Sequence, residues 1–442
     1  MNYSPVIGLE VHVELNTKSK MFCRCSADYF GKEPNTHTCP ICLGLPGALP
    51  YINKEAIVNC IKIGLALNCK VNPTSLFERK NYFYPDLAKG FQISQYRYPL
   101  CVEGWIEIEG KEGVKKIRIN RAHQEEDTGK LTHISSETLI DFNRSGVPLV
   151  EIVTEPDFTD VEEIRDYAKK LQQMFRYLGV SNADMERGDM RLEANISVRP
   201  EGSEELPPYR VELKNINSFR FMVAAVEYEI KRQIAAIEAG EKLSQETRGW
   251  DEDKKETYLQ RSKEEAHDYR YFPEPDLPEI KNDMQNVEKL KAQLPELPWE
   301  KAKRYQDELG IKKIDAGIIS EDKKNAQLFE EVLKQAQKEG INPQDLANHI
   351  INKRPNVDQT STSQIIENIK NKTIGVIGGD SELEELAKQA MEQDPKAVED
   401  FRGGKENSIQ VLIGAVMRLS SGKANVAKLK PLLTKLLLEN KN

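Results

Sequence analysis

The first strand predicted by this sequence lies in the segment PVIGLEVHVEL, close to its start. Along residues 7–15 the odd positions are apolar, and the even positions carry Gly8, Glu10, His12 and Glu14. This alternation is typical of a β-strand with one face in a hydrophobic core. The other face presents two carboxylates and an imidazole in one direction, which is typical either of a solvated surface or of the floor of a metal site.

Other segments predict further strands. They cover residues 104–109, 115–120, 147–154, 193–199 and 209–215. The separations between them are long, which favours an α+β arrangement with much antiparallel sheet.

Two helices are predicted between these strands. Apolar residues at helical spacing predict one helix over about 160–178 and another over about 219–239. Thr159, followed three residues later by Glu162, predicts a capping box at the start of the first helix. Gly179 predicts its end, because glycine readily adopts the left-handed conformation that closes a helix.

The character of the sequence changes after the segment YRYFPEPDLPEI. A series of prolines there indicates a linker, and the remainder reads as short helices without convincing strand pairs. We therefore predict an α+β protein in three parts. An N-terminal domain with a mixed, largely antiparallel sheet precedes an all-helical middle domain and an all-helical tail domain. Their predicted bounds are 1–292, 293–375 and 376–442.

The composition of the chain indicates which class of protein it belongs to. Hydrophobic residues make up 39% of the chain and charged residues 30%. The sequence has no apolar run of about 18 residues, so a membrane-spanning helix is not expected. It enters a strand almost at once, without a charged and apolar leader. We therefore expect a cytoplasmic protein without a membrane partner.

The charge is distributed unevenly along the chain. The formal net charge of −8 disfavours a general nucleic-acid coat, but residues 401–442 contain eight Lys or Arg against two acidic residues. A basic tail on an acidic body is typical of an appendage that binds a polyanion. A basic, solvated helix face without a partner is the alternative.

Four of the seven cysteines form the clearest local motif. Cys23 and Cys25 make a C-x-C pair, and Cys39 and Cys42 make a C-P-x-C knuckle. Two close pairs of thiolates suit tetrahedral Zn²⁺, and a shell of four sulfurs leaves no open position for catalysis. We therefore predict a structural zinc site in an insertion over residues 22–44. Four free cysteines are the alternative.

A second set of candidate ligands is acidic. Glu125 follows the predicted strand KKIRIN, and Glu151 and Glu212 occupy polar positions between apolar neighbours in two other strands. If these carboxylates converge with Glu10 and His12, they repel one another unless a hard divalent cation lies between them. Mg²⁺ takes oxygen ligands and bridges to substrate phosphates, so the set predicts a magnesium site. Taken singly, each acid is more typical of a solvated strand face.

The stretch ERKNYFYPDLAKGFQISQY combines cations with aromatic rings. Lys80 and Asn81 precede Tyr82, Phe83 and Tyr84. This combination is typical either of a platform for a base, a nucleotide or an RNA end, or of a small aromatic core under a loop. The sequence has no G-x-x-x-x-G-K-[ST] loop, so any ATP chemistry requires another phosphate cradle.

Several motifs, in order, resemble one known family. They are VIGLEVHVEL, CPICLGLPGALP, ERKNYFYPDLAKGFQISQ, HQEEDTGK, DFNRSGVPLVEIVTEPD, LEANISVRP, ELKNINSF and DYRYFPEPDL. The chain thereby resembles the B subunits of aspartyl/glutamyl-tRNA(Asn/Gln) amidotransferases. The resemblance covers nearly all of residues 1–290 and resumes in the basic segment from VEDFRGGKENSIQ onward.

This resemblance implies a ligase that forms carbon–nitrogen bonds with glutamine as amido donor. Such a protein converts misacylated Glu-tRNA(Gln), Asp-tRNA(Asn) or both. It uses ATP and Mg²⁺ to phosphorylate the side-chain carboxylate, which ammonia then attacks. The implied partners are the family's amidase, or A-type, subunit, which releases the ammonia, and a small C-type subunit. The N-terminal part is the family's cradle domain, and the helical parts grip the tRNA.

The resemblance also implies roles for individual residues. Glu10, His12 and Glu125 match the family's metal and catalytic positions, with Glu151 and Glu212 as further ligands. The matches to nucleotide or tRNA 3′-end contacts are Lys80, Asn81, Tyr82 and Tyr84. The matches to tRNA contacts in the tail are Lys405, Arg418 and Lys423. Some relatives lack the four cysteines, so zinc belongs to a subset of the family.

Two other functions are weaker alternatives. A zinc-stabilised tRNA-binding protein without catalysis would not need Glu10, His12, Glu125 and Glu151 beside a polyanion, because these acids repel RNA in the absence of a metal. A free-standing kinase of small carboxylic acids does not explain the basic helical tail.

Overall fold

A computed structural model describes residues 2–111, 113–216, 218–262, 269–356, 360–373, 380–420 and 424–439. The chain divides into two compact units, Met1–Glu300 and Lys301–Asn442. The first unit combines strands and helices, and the second is helical. The predicted α+β class, with an N-terminal sheet followed by helices, is confirmed. The division into three domains at the predicted bounds stays a prediction.

The first unit is built on a large sheet. The described strands of the first unit are β1 (Tyr3–Glu14), β2 (Lys70–Val71), β3 (Thr74–Ser75), β4 (Glu78–Asn81), β5 (Phe91–Ser94), β6 (Cys101–Gly110), β7 (Gly113–Glu126), β8 (Lys130–Ile134), β9 (Glu137–Asp141), β10 (Pro148–Thr154), β11 (Met190–Pro200), β12 (Val211–Ile216), β13 (Glu246–Asp251), β14 (Glu256–Ser262), β15 (Arg270–Pro273) and β16 (Ile280–Lys281). The described helices of the first unit are α1 (Lys54–Ala66), α2 (Val161–Leu178), α3 (Phe219–Glu238) and α4 (Met284–Ala292).

Nine of the described strands form one sheet in the order β14-β13-β12-β11-β1-β10-β7-β6-β2. Every neighbouring pair is antiparallel except β12 and β13, which are parallel. The sheet is therefore mixed and largely antiparallel, as predicted. A smaller sheet, β15-β4-β5, carries both aromatic motifs of the sequence.

One face of the large sheet is the hydrophobic core. The odd-numbered residues of β1 from Ile7 to Val13 are almost completely buried, and they belong to one apolar cluster with residues of α1, α2 and α3. Burying apolar surface at about 25 cal/mol per Å² makes this face the main stabilising element of the unit. The helices of this cluster therefore lie on the apolar side of β1 and do not cover the face that carries the acids.

The start of α2 differs from the prediction. Asp160, and not Thr159, is the N-cap, and its side chain accepts from the backbone N–H of Glu162. Both residue types cap helices, but the aspartate lies one position nearer to the first helical residue. The predicted end is confirmed, because Gly179 adopts a left-handed conformation with φ of 68°.

The second unit consists of helices. They are α5 (Pro298–Leu309), which begins just before it, α6 (Lys313–Glu321), α7 (Lys323–Lys338), α8 (Pro343–Lys353), α9 (Thr362–Thr373), α10 (Asp380–Gln393), α11 (Pro395–Arg402), α12 (Ile409–Leu419) and α13 (Val426–Glu439), with a 3-10 helix at Glu406–Ser408. The described residues form two apolar clusters, one between Tyr305 and Ile369 and one between Leu383 and Leu437. In the part of the chain that the structure describes, no helix has both the length and the apolar character needed to cross a membrane.

Candidate active site

The register of the central strands brings the predicted acids to one face of the sheet. His12 of β1 lies opposite Glu151 of β10, and Glu151 in turn lies opposite His123 of β7. One pair of residues further along β1, Glu10 lies opposite Glu193 of β11. Directly opposed residues on antiparallel strands point to the same face, so these side chains form adjacent rows on the uncovered face.

Two members of the first row, His12 and Glu151, form a compact triad with Glu125, which lies two residues beyond His123 on β7. The Nε2 atom of His12 lies 3.5 Å from an oxygen of Glu125 and 3.6 Å from an oxygen of Glu151. Both carboxylates are buried, and one ligand atom from each residue lies within 4.8 Å of the others. Burial alone would lower the pKa of His12, but its hydrogen bond to Glu151 and the charges of Glu151 and Glu125 raise it to about 9.

A second triad lies beside the first. Glu10, Glu193 and Glu212 each place an oxygen within 4.8 Å of the others. Burial, followed by the charges of Glu151, Glu193 and Glu212, raises the pKa of Glu10. Glu10 therefore couples the two triads electrostatically, because Glu151 belongs to the first. The five predicted magnesium ligands thus lie in two adjacent groups and not around a single point.

Both triads have the chemistry of a divalent-cation site. Carboxylate oxygens are the ligands that Mg²⁺ prefers, and a cation between crowded carboxylates offsets their mutual repulsion. A further oxygen lies at the edge of the second triad. The Asn195 side chain donates to Glu10 at 2.9 Å, while its Oδ1 atom is buried and has no hydrogen-bond partner in the described part of the chain. The residues present therefore fit a magnesium ion.

Three residues near these triads were not among the predicted site residues. Glu193 completes the second triad, Lys214 contacts Glu193 at 2.8 Å and Glu212 at 3.2 Å, and His123 lies 3.4 Å from Glu151. Glu193 occupies a polar position in the alternating segment LEANISV, so the period of the strand could have indicated it. The segment around His123 gave no such signal, because β7 continues to Glu126, beyond the predicted end at residue 120.

The extension of β7 also corrects the position of Glu125. The sequence placed this residue after the strand, whereas it lies within β7, opposite Leu149 of β10. Residues 122–127 are all buried. Both faces of β7 are buried here and both carry polar side chains, so the alternation between apolar and polar residues that marks a half-buried strand is absent.

A polar cavity of about 590 Å³ opens over both triads. Its lining includes Glu10, His12, Glu125, Glu151, Glu193, Lys80, Tyr82, Tyr84, Lys214 and Tyr269. Burial would lower the pKa of Lys80, but the charge of Glu125 and other neighbouring groups raises it above its usual value. A charged lysine therefore faces the carboxylates.

Asn81 lies differently from the other residues of its motif. Its side-chain amide donates to the backbone oxygens of Arg79 and Arg270. The hydrogen bond to Arg270 links β4 to β15, and Asn81 is not among the residues that line the polar cavity. The residue is thus engaged in holding the strands that carry Lys80.

The aromatic residues of the two motifs are brought together. The rings of Tyr82 and Tyr269 meet edge to face, with centroids 5.4 Å apart. Phe83 is 76% exposed and Tyr84 is 54% exposed. Their exposure contradicts the alternative of a small aromatic core and leaves rings available for stacking.

The four clustered cysteines also converge. Cys23, Cys25, Cys39 and Cys42 each place a sulfur within 4.8 Å of the others. Thiolates about 2.3 Å from a tetrahedral zinc ion lie about 3.8 Å apart, and the Sγ atoms of Cys39 and Cys42 are 3.8 Å apart. The backbone N–H of Cys39 donates to the sulfur of Cys42. The residues present therefore fit a structural zinc ion.

A buried lysine lies against this cluster. The side chain of Lys20 is completely buried, and its Nζ atom donates to the backbone oxygen of His37 at 2.8 Å and lies 3.8 Å from the sulfur of Cys42. A hydrogen bond from Cys23 and the charge of Lys20 lower the pKa of Cys42 to about 5, against the effect of burial. Lys20 thus offsets the negative charge of the thiolates. The spacing of the cysteines gave no indication of this residue.

Two of the three predicted tail residues are on the surface of the second unit. Lys405 is exposed and pairs with Asp400 at 2.9 Å, and Arg418 is exposed on α12. Lys423 lies outside the described residues.

Two family profiles match the chain. The profile described as GatB/GatE catalytic domain matches residues 5–288, and the profile described as GatB domain matches residues 308–437. The chain belongs to the GatB/GatE family. The first match includes every residue of both triads and all four clustered cysteines.

Relatives that match over nearly their full length are named as the B subunit of aspartyl/glutamyl-tRNA(Asn/Gln) amidotransferase. The relative from Thermotoga maritima is 46% identical over 487 aligned positions, which cover 99% of each chain. The relative from Thermodesulfovibrio yellowstonii is 45% identical, with 99% of this chain and 100% of the relative covered. The relative from a Roseiflexus species is 44% identical over 96% of each chain. The family predicted from the sequence motifs is thereby confirmed.

Proposed function

We propose that this chain is the component of a glutamine-dependent amidotransferase that activates the side-chain carboxylate of a misacylated tRNA. The substrate is glutamate on tRNA(Gln), aspartate on tRNA(Asn), or both. The observation that carries the proposal is the polar cavity in which two carboxylate triads face a charged Lys80. It lies in the region that matches the GatB/GatE catalytic domain.

The proposed reaction has two steps. An oxygen of the side-chain carboxylate attacks the γ-phosphorus of ATP, the bond from that phosphorus to the bridging oxygen breaks, and ADP leaves. Ammonia then attacks the carbonyl carbon of the acyl phosphate, phosphate leaves with a proton from the nitrogen, and the amide remains. Neither step needs a nucleophilic side chain from the protein. The protein's contribution is to position the groups and to balance their charge.

The residues that would hold magnesium are those of the two triads. Glu10, His12 and Glu125 are the proposed catalytic residues among them, because they match the family's catalytic positions, and Glu151, Glu193 and Glu212 would be further ligands. When bound, Mg²⁺ supplies positive charge to the phosphoryl oxygens. Lys80 extends toward the same carboxylates and provides a second positive charge that can pair with a phosphate oxygen.

We predict that Lys80→Met lowers the rate of ATP-dependent amidation by about 100-fold, because a preorganised charge at the developing phosphoryl group is lost. The measurement is the turnover of the reconstituted complex on misacylated tRNA. Lys70→Met is the matched control, since Lys70 is exposed and pairs with Glu103 at the surface. Wild-type turnover by Lys80→Met would remove this residue from the proposed mechanism.

We propose that the basic tail binds the tRNA through its phosphates. Residues 401–442 are rich in lysine and arginine, and Lys405 and Arg418 are exposed. Contacts of this kind hold an RNA without reading its sequence. The predicted tail domain, residues 376–442, includes the apolar cluster between Leu383 and Leu437.

Removal of residues 376–442 is expected to raise the KM for tRNA about tenfold or more, with little change in the partner's glutaminase activity. The double substitution Lys405→Glu and Arg418→Glu is expected to act in the same direction without shortening the chain. Steady-state amidation at increasing tRNA concentrations measures both effects. An unchanged KM for tRNA in both variants would contradict a role of the tail in tRNA binding.

The proposed assembly contains the A-type amidase, which supplies ammonia from glutamine, and the small C-type subunit. We propose the cytoplasm as its location, because a reaction that supplies aminoacyl-tRNA serves translation. The decisive test of the function is amidation by the reconstituted complex on Glu-tRNA(Gln) and Asp-tRNA(Asn), each with and without ATP. Amide formation on neither tRNA in the presence of ATP would refute the proposal.

A further inference from the structure

The polar cavity is lined by a guanidinium group that the proposed reaction does not use. Arg191 of β11 lies opposite His12 of β1, so its side chain rises from the same face of the sheet as the acids. The side chain is 27% exposed, and its Nη2 atom donates to Asp127. In the described part of the chain, Asp127 is the one hydrogen-bond partner of this guanidinium group. Because the group carries five N–H donors, others remain for a ligand in the cavity.

The other described cations of the cavity are engaged elsewhere. Lys80 interacts with Glu125 and Glu151 of the first triad. Lys214 contacts two carboxylates of the second triad, at 2.8 and 3.2 Å. Arg261 belongs to β14, an edge strand of the large sheet. The guanidinium group on β11 is thus a cation beside the first triad that is paired with an acid outside both triads.

Arg191 is held in place by buried acids that connect it to the zinc insertion. Asp127 and Glu14 are both buried and lie side by side, and Arg191 attracts both of them. The hydroxyl group of Tyr29 lies 3.0 and 3.1 Å from the two carboxyl oxygens of Glu14. Tyr29 stands between the two pairs of clustered cysteines, in the predicted insertion over residues 22–44. The position of the guanidinium group therefore depends on a contact from the zinc insertion.

We infer that Arg191 binds the side-chain carboxylate that is to be phosphorylated, and that Tyr29 positions it through Glu14 and Asp127. This inference rests on the proposed function and names the group that recognises the substrate. The reaction brings two anions, the carboxylate and the γ-phosphate, into a cavity lined by many acids. Each anion requires a cation of its own there, because the acids of the cavity otherwise repel it.

A phosphate of ATP is the other anion of the reaction, and a guanidinium group binds either one. We assign Arg191 to the carboxylate because the residues that would hold magnesium, and Lys80 beside them, already serve the phosphates in the proposed reaction. A planar guanidinium group also binds a carboxylate through two parallel hydrogen bonds. Such a pair fixes the orientation of the oxygen that attacks the phosphorus.

The test compares the binding of two ligands that differ only in this carboxylate. They are Glu-tRNA(Gln) and its amidated form Gln-tRNA(Gln), each bound to the reconstituted complex with Mg²⁺ and without ATP. Arg191→Gln is expected to lower the preference for the glutamyl ligand about tenfold, because a charged hydrogen-bond donor is lost. Arg191→Lys, which keeps the charge but not the planar fork, should lose less. The KM for ATP should change by less than about twofold in both variants.

Tyr29→Phe tests the positioning of the guanidinium group. It is expected to lower the same preference about threefold while the zinc content stays unchanged. In a chain that already carries Arg191→Gln, Tyr29→Phe should have no further effect, since it acts through Arg191. Arg165→Gln and Tyr98→Phe are the matched controls, because both side chains are exposed and neither lines the polar cavity.

An unchanged preference in Arg191→Gln would overturn the inference, and so would equal binding of the two ligands by the unmodified complex. A raised KM for ATP with an unchanged preference would also overturn it, since it would assign Arg191 to the phosphates. Additive effects of the two substitutions would remove the positioning role of Tyr29. If the unmodified complex prefers the glutamyl ligand but forms no amide with ATP and glutamine, the proposed function fails and the carboxylate contact stands.

Discussion

Glu125→Ala is expected to abolish ATP-dependent amide formation, with a loss of at least about 1,000-fold in turnover. Glu125 is buried between His12, at 3.5 Å, and the hydroxyl of Ser94, which donates to it at 3.1 Å. It is also the strongest negative charge acting on Lys80. Its removal therefore takes away a proposed cation ligand and unbalances the positive charges that remain in the cavity.

The binding of tRNA provides the control within the same variant. Glu125→Ala should bind tRNA as the unmodified complex does and leave the partner's glutaminase activity in place, because neither property depends on the triad. Glu125→Gln, which keeps the shape and removes the charge, should show the same loss of amidation. Glu137→Ala serves as a matched control, since Glu137 is exposed on β9. Retained amidation by both Glu125 variants would eliminate the proposed metal role of this residue.

The second large effect is expected at the cysteine cluster. Metal analysis should find about one zinc per chain, and none after Cys23, Cys25, Cys39 and Cys42 are all replaced by serine, because four thiolates form the whole ligand set. The substitution of Cys42 also leaves Lys20 buried without a thiolate beside it. Since structural zinc contributes directly to folding free energy, thermal unfolding of the variant should begin about 5–10 °C lower.

Cys69→Ala is the control for the zinc measurement, because Cys69 is a buried cysteine outside the cluster. It should retain the zinc content of the unmodified chain. Residual amidation by the variant with four serines is expected, as no cysteine of the cluster lines the polar cavity. Zinc retained after all four substitutions would refute the assignment of these ligands.

The sequence predicted those parts of the fold in which one face of an element is apolar. The period of β1 indicated both its buried face and the face that carries Glu10 and His12, and the glycine at 179 indicated the end of α2. The cysteine pairs predicted a cluster, because each C-x₁–₂-C motif brings two thiolates together by local geometry and two such pairs complete a tetrahedral ligand set.

The sequence could not predict which acids meet. That depends on strand register, which places Glu193 opposite Glu10 and Glu151 opposite His12. Register here depends on pairing between strands that are far apart in the sequence, so the sequence of one strand alone does not give its partner residues. Where the polar face is itself buried, as around His123, the alternating pattern disappears and the strand is predicted too short.

The central claim is that the side-chain carboxylate is activated by transfer of a phosphoryl group from ATP. It is tested most directly with misacylated tRNA whose side-chain carboxylate is labelled with ¹⁸O, incubated with the reconstituted complex, ATP and glutamine. Attack of the labelled oxygen on the γ-phosphorus predicts one ¹⁸O atom in each inorganic phosphate released, as measured by mass spectrometry. Amide formation with unlabelled phosphate would contradict the account.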